Sequence, residues 1–370
     1  MGASRIPRSA VTPARLARMS AVKGARNQAL QLVDQTNKAG RLLADGKNEG
    51  ALHQFRVALR RLRTFLRGYA SHLSVTKKIR GILRRLAKRT NAARDLEVSI
   101  LWLKEQRRAL NARERIGLDL LLEDLERNRD KAYESIRDRV LKEWRPIEGE
   151  LTKFLSGTFK DQPVIHTFAQ ASAELASEYS YELEMGLSRL ERQQNKKMAH
   201  RARIRGKRLR YLLEPMRRTV PGVQGALTAL KRLQDDLGLL NDSGVLLEQL
   251  SEAAEVFSAK RVQRLLDLAT KDNPNRARMH SEMRDDALPG LLALARRAKI
   301  RRQQALLKVM ENHVLARATI IDRIRQVATR LGDQTNQPPR TQAKKIPQRQ
   351  TRRKITTRAR RSRAARPRSR

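Results

Sequence analysis

The chain has 370 residues, enough for one large or two ordinary domains, and its 39% apolar content suffices for a core. It carries 81 Lys and Arg against 38 Asp and Glu, a net charge of +43 that calls for a polyanionic partner: nucleic acid, an acidic membrane surface or inorganic polyphosphate. With no cysteine, disulfides and thiolate metal sites are excluded, and no apolar run reaches the roughly 18 residues of a membrane span.

In chain order, residues 1–14 read as a basic arm. Met1 to Ser20 has no continuous apolar stretch and is a poor signal peptide, so the expected location is the cytoplasm. From Thr12 to about Leu331 apolar residues recur at helical spacing, and no segment alternates like a strand. Breaks are expected at Glu49-Gly50, Pro221-Gly222, Asn273-Pro274 and Pro289-Gly290. This predicts an all-α fold over residues 15–330, with a first half of about 15–150 and a second of about 165–330. Residues 331–370 differ. Arg340 to Arg370 holds 14 Lys or Arg and no Asp or Glu, a composition that predicts a disordered tail. Taking those 14 charges from +43 still leaves +29 on the remainder.

The halves are linked by an internal repeat. His53–Val98 and His200–Val245 align without a gap at an offset of 147, with 11 identities in 46 positions. The identities cluster: His53 with His200, Arg56 with Arg203, Arg61 with Arg208, Arg63 with Arg210, and Asp95 with Asp242. Arg60 faces Lys207 in this alignment, and Arg84 faces Lys231. A two-lobed molecule with pseudo-twofold symmetry is the natural reading.

On a helical wheel His53, Arg56, Arg60, Arg63 and Arg67 fall within about 80° of one another, while Phe55, Leu59, Leu62 and Leu66 form a separate apolar face. His200, Arg203, Lys207 and Arg210 repeat the ladder. On the next helix Lys77, Arg80, Arg84 and Lys88 lie opposite Ile79, Leu83 and Leu86; in the second copy Asp235 stands where Lys88 does. Like charges at these spacings destabilise an isolated helix. They make sense when a partner brings closely spaced negative charge, and the planar fork of Arg suits phosphate oxygens. A single basic stripe is usually a solvated face; its recurrence with a His and a downstream Asp at fixed spacing argues for a site. Asp95 and Asp242 are expected to be structural, as helix N-caps or as buried ion-pair partners that orient an arginine. No second His or carboxylate stands at i+3 or i+4 of either histidine, so no metal site and no cofactor are expected.

His53-x-x-Arg56-Val57-x-x-Arg60-Arg61-Leu62-Arg63 and His200-x-x-Arg203-Ile204-x-x-Lys207-Arg208-Leu209-Arg210-Tyr211 resemble the signature of the CHAD family, the conserved histidine α-helical domain. Arg94-Asp95-Leu96-Glu97-Val98 and Leu230-Lys231-Arg232-Leu233-Gln234, with Leu237-Gly238-x-x-Asn241-Asp242, resemble its other segments. The resemblance implies two pseudo-twofold-related four-helix bundles around a basic central pore or groove. It also implies binding of inorganic polyphosphate and location on polyphosphate granules. The phosphate-contacting role passes to His53, Arg56, Arg60, Arg63, His200, Arg203, Lys207 and Arg210, with Arg61, Arg208, Arg84, Lys88 and Lys231 as further candidates.

No catalytic residue is expected. The ExExK strand of a triphosphate-tunnel metal site is absent: Glu182-x-Glu184 lacks the lysine, and in Glu148-x-Glu150 the lysine, Lys153, comes one position late. The competing expectation is a nucleoid-associated protein whose tail binds DNA or RNA by releasing counterions. The ladder helices offer few aromatics on which bases would stack.

Overall fold

The computed structural model describes residues 11–46, 50–157, 166–193, 195–270, 276–284 and 286–333. The first ten residues of the expected arm, Glu49, the Asn273-Pro274 break and the tail from residue 334 lie outside them. The described chain is helical: α1 (Pro13–Arg18), α2 (Ala21–Asp45), α3 (Ala51–Gly68), α4 (Ala70–Leu73), α5 (Lys77–Arg89), α6 (Asn91–Gln106), α7 (Ala112–Ser135), α8 (Leu141–Ser156), α9 (Phe168–Gln193), α10 (Lys196–Leu213), α11 (Val223–Ala269), α12 (Arg276–Arg284), α13 (Leu288–Val309) and α14 (Arg317–Asp333). Among the described residues there is no strand, only an isolated bridge between Ser20 and Thr167.

Local chemistry sets the helix starts. Thr12, Ser20, Thr76, Asn111 and Asn195 each accept a backbone N–H of the first turn with their side chains, and Asn111 and Glu114 form a reciprocal capping box. Pro221-Gly222 breaks the chain as expected, with Gly222 at φ 88 before α11. Pro289-Gly290 does not. Pro289 sits in the first turn of α13, where its missing N–H costs nothing, and the helix runs on through Gly290.

The repeat is visible in the elements: α2 begins at Ala21 and α9 at Phe168, again 147 apart. The second half is not a copy, however. In the first, Thr90 separates α5 from α6; its counterpart, Leu237, continues the helix, so α11 runs unbroken for 47 residues.

Two hydrophobic clusters hold these helices. The main one gathers α2, α3, α8, α9, α10, the start of α11 and α14; Trp144, Tyr69, Phe55 and Phe168 are its largest fully buried side chains. Each such burial is worth about 1.5–3 kcal/mol. Tyr69 stacks on Phe168 at 5.2 Å and its hydroxyl lies 2.6 Å from Ser172 Oγ, fastening the end of α3 to α9. The outer cluster joins α6, α7, the middle of α11 and the first half of α13. There α7 and α13 cross at Gly117 and Gly290 with backbones in contact: a Cβ on Gly117 would lie 2.1 Å from the Ala287 carbonyl oxygen.

Candidate functional site

The two ladder helices pack against each other. In α3 the apolar face of Leu52, Phe55, Leu59, Leu62 and Leu66 is buried, which leaves the cationic face for α10 and the space beside it. In α10 Met198, Ala202, Leu209 and Leu213 take the packing side. Gly206, a poor helix former, lets α11 approach, and Gln234 Nε2 donates to its carbonyl at 3.1 Å.

Between the helices lies a phenol. Arg60 Nε donates to Tyr211 Oη at 2.8 Å and Arg210 Nη2 at 3.4 Å. The guanidinium of Arg210 also lies 5.0 Å from the Tyr211 ring centroid. Around this hub stand the half-buried Arg56, Arg63, Arg203 and Lys207, each of which feels the charge of Arg60. Burial, then Arg203, Arg60 and Arg210, hold the Lys207 ammonium down to about 6. Burial and then Arg60 hold Arg56 down to about 10. Arg63 is lowered by burial and by Arg60, Arg67, Arg208 and Arg84. Among the described residues no carboxylate stands within the 4.0 Å of an ion pair with Arg56, Arg60, Arg63, Arg203 or Lys207.

The halves differ here too. Arg56 Nη1 donates to the carbonyl of Thr90, at the α5–α6 break, and lies 3.3 Å from its hydroxyl. Arg203 faces unbroken helix instead, and its buried Nε has no partner. The histidines open their ladders at exposed positions. Partial burial, then Arg94 and Arg60, lower His53; partial burial and then Arg203 lower His200, against a hydrogen bond with Asn241.

Asp95 and Asp242 are not N-caps. Asp95 lies in the second turn of α6 and Asp242 inside α11, because each helix starts earlier than the local sequence suggests. Both act electrostatically on Arg203; burial raises Asp95, Asp242 raises it further, and Arg56 opposes.

The remaining candidates are placed otherwise. Arg61 pairs with Glu214 at 2.9 Å and Arg208 with Glu182 at 3.1 Å. Lys231 pairs with Asp235 at 3.2 Å in solvent. Arg84 and Lys88 are exposed on α5, Arg84 within reach of Arg63. The sequence reading missed Thr90 as an acceptor, and it missed the linkage of Arg94, Glu97 and Tyr133 beside His53.

A family model described as the CHAD domain matches residues 27–251. The chain belongs to the CHAD family. Its fold is similar to the crystal structure of the CHAD domain from the plant Ricinus communis, at 17% identity, covering 87% of this chain and 97% of that one with a TM-score of 0.55. PptA from Streptomyces chartreusis is 16% identical over 80% of this chain and 99% of its own, with a TM-score of 0.44. No curated protein matches the chain. Among the described residues no helix of this CHAD protein is long and apolar enough to cross a membrane.

Proposed function

We propose that the chain binds inorganic polyphosphate in a basic cleft between α3 and α10, and that it binds without turning its ligand over. The observation that carries this reading is the group of arginines and one lysine, Arg56, Arg60, Arg63, Arg203 and Lys207, gathered from two repeats with no carboxylate in contact among the described residues. Such a cluster costs free energy in the empty protein, and a ligand with one negative charge per phosphate along its length removes that cost. Charge-assisted contacts are worth about 1.5–3 kcal/mol each. His53, His200 and Arg210 extend the cluster, and Arg84 lies at its edge.

The pseudo-twofold arrangement of two four-helix bundles around a central pore belongs to the same reading, and the shared spacing of α2 and α9 supports it. Through its ligand the protein would collect on polyphosphate granules in the cytoplasm. A second reading, binding of DNA or RNA, rests on the tail, with its 14 Lys or Arg and no acid from Arg340 to Arg370.

The test is the double variant Arg60→Glu, Lys207→Glu. Affinity for long-chain polyphosphate collapses at fixed salt while the far-ultraviolet helical signal stays; unchanged affinity moves the site elsewhere. Metal-dependent phosphate release by the pure protein would overturn the binding-only assignment. Deleting residues 340–370 separates the two readings: the tail reading expects weaker binding of duplex DNA with polyphosphate binding nearly intact, and equal loss of both defeats it.

A further inference from the structure

On α13 the inward stripe runs Leu291, Leu294, Ala298, Arg301, Ala305 and Val309, at the three- and four-residue spacings of a helix face. Every member but Arg301 is a buried apolar side chain. Leu291, Leu294 and Ala298 belong to the outer hydrophobic cluster, Ala305 and Val309 to the main one. Arg301 therefore occupies a core position at the seam between them.

A half-buried cation at such a position is costly unless something compensates it. The guanidinium lies 5.5 Å from the ring centroid of Trp102 on α6, a cation–π contact that holds the planar group over the indole. Among the described residues no carboxylate comes within the 4.0 Å of an ion pair with it. Asp242 and Glu105 act on it from further off, against the burial that lowers it. Asp242 on α11 also acts electrostatically on Arg203 and Lys207, so one carboxylate is shared by the ladder cluster and Arg301.

We propose that Arg301 is a further anion-binding residue, extending the phosphate track of α3 and α10 past Asp242 to the seam between the two hydrophobic clusters. This rests on the polyphosphate reading above. It adds an element outside the repeat and outside the matched residues 27–251, so the track has three walls there. The cation–π contact fixes the plane of the guanidinium and leaves edge N–H groups free to meet phosphate oxygens. Because the carboxylate of Asp242 interrupts the track, only a chain long enough to pass it engages both ends. Short chains fill the ladder cluster alone.

The experiment compares long-chain polyphosphate with tripolyphosphate on the full chain and on Arg301→Leu, a change that restores the apolar stripe. Arg301→Gln, of similar reach and polarity, is read in the same way should the Leu variant not fold. The expected result is long-chain affinity down about tenfold or more, tripolyphosphate affinity within about twofold, and thermal stability kept or raised. Long-chain affinity unchanged in a folded variant overturns the proposal. Equal losses for both probes overturn it as well, since Arg301 would then act through the ladder cluster. If the unmodified chain binds neither probe, the polyphosphate reading itself fails and takes this inference with it.

Discussion

Arg60 and Tyr211, 151 residues apart in sequence, meet through a 2.8 Å hydrogen bond that joins the two repeat helices. Tyr211 is 4% exposed, and its counterpart in the first copy is Thr64, so this link exists once. Tyr211→Phe keeps the ring and removes the acceptor, leaving Arg60 Nε and Arg210 Nη2 without it. The expected cost is about 1–3 kcal/mol in urea unfolding. Polyphosphate affinity falls with it, because two cations lose their fixed direction.

Lys207 gives the pH dependence a direction. Its ammonium is held to about 6 in the folded chain against 10.5 for an ordinary lysine, so the unfolded chain binds the extra proton between those values. Stability therefore rises with pH across that window, and the penalty of burying Lys207 is fully present below about 6. Lys207→Met is more stable than the parent at pH 7, and the difference shrinks toward pH 10. A bound polyanion reverses the bias and draws a proton onto Lys207. Titration calorimetry in two buffers of different ionisation enthalpy detects this uptake near neutral pH, and Lys207→Met abolishes it.

Arg61 and Arg208 carry the repeat signature, yet each is committed to a glutamate. Arg61→Gln and Arg208→Gln are expected to leave long-chain affinity within about threefold. Stability drops by about 1 kcal/mol or less, since these partly exposed pairs are screened. Arg63→Gln, at a cation with no carboxylate in contact among the described residues, lowers affinity about tenfold. Equilibrium binding at one salt concentration ranks the three.

At the α7–α13 crossing, Gly117→Ala and Gly290→Ala each drive a methyl into a carbonyl oxygen 2.1 Å away. Neither backbone gives way without opening the outer cluster, and the expected loss is about 1–3 kcal/mol or more. Hydrogen exchange localises it: amides of α7 and α13 lose protection before those of α3 and α10.

Helical character and the two ladders were legible because both are periodic, and period survives without knowledge of the fold. What the ladders touch was not. Thr90 is 34 residues from Arg56 and serves it through a backbone carbonyl that only a helix break frees. Glu214 and Glu182 draw Arg61 and Arg208 aside through packing that no spacing encodes. Asp95 does not cap a helix because α6 already starts at Asn91 behind Thr90, whose side chain bonds elsewhere. A π turn at Ile136–Val140 and Pro146 inside α8 are local irregularities that helical spacing does not announce. Pro289 and Gly290 looked like a loop, although one suits a first turn and the other a close crossing.

The unequal treatment of Thr90 and Leu237 gives the first repeat a joint and the second a stiff beam. α11 threads both hydrophobic clusters without interruption, so its side cannot yield without disturbing each of them. Any widening to admit a bulkier anion falls on the joint at Thr90, where Arg56 grips the carbonyl. On the polyphosphate reading proposed above, ligand girth is then governed from the first repeat.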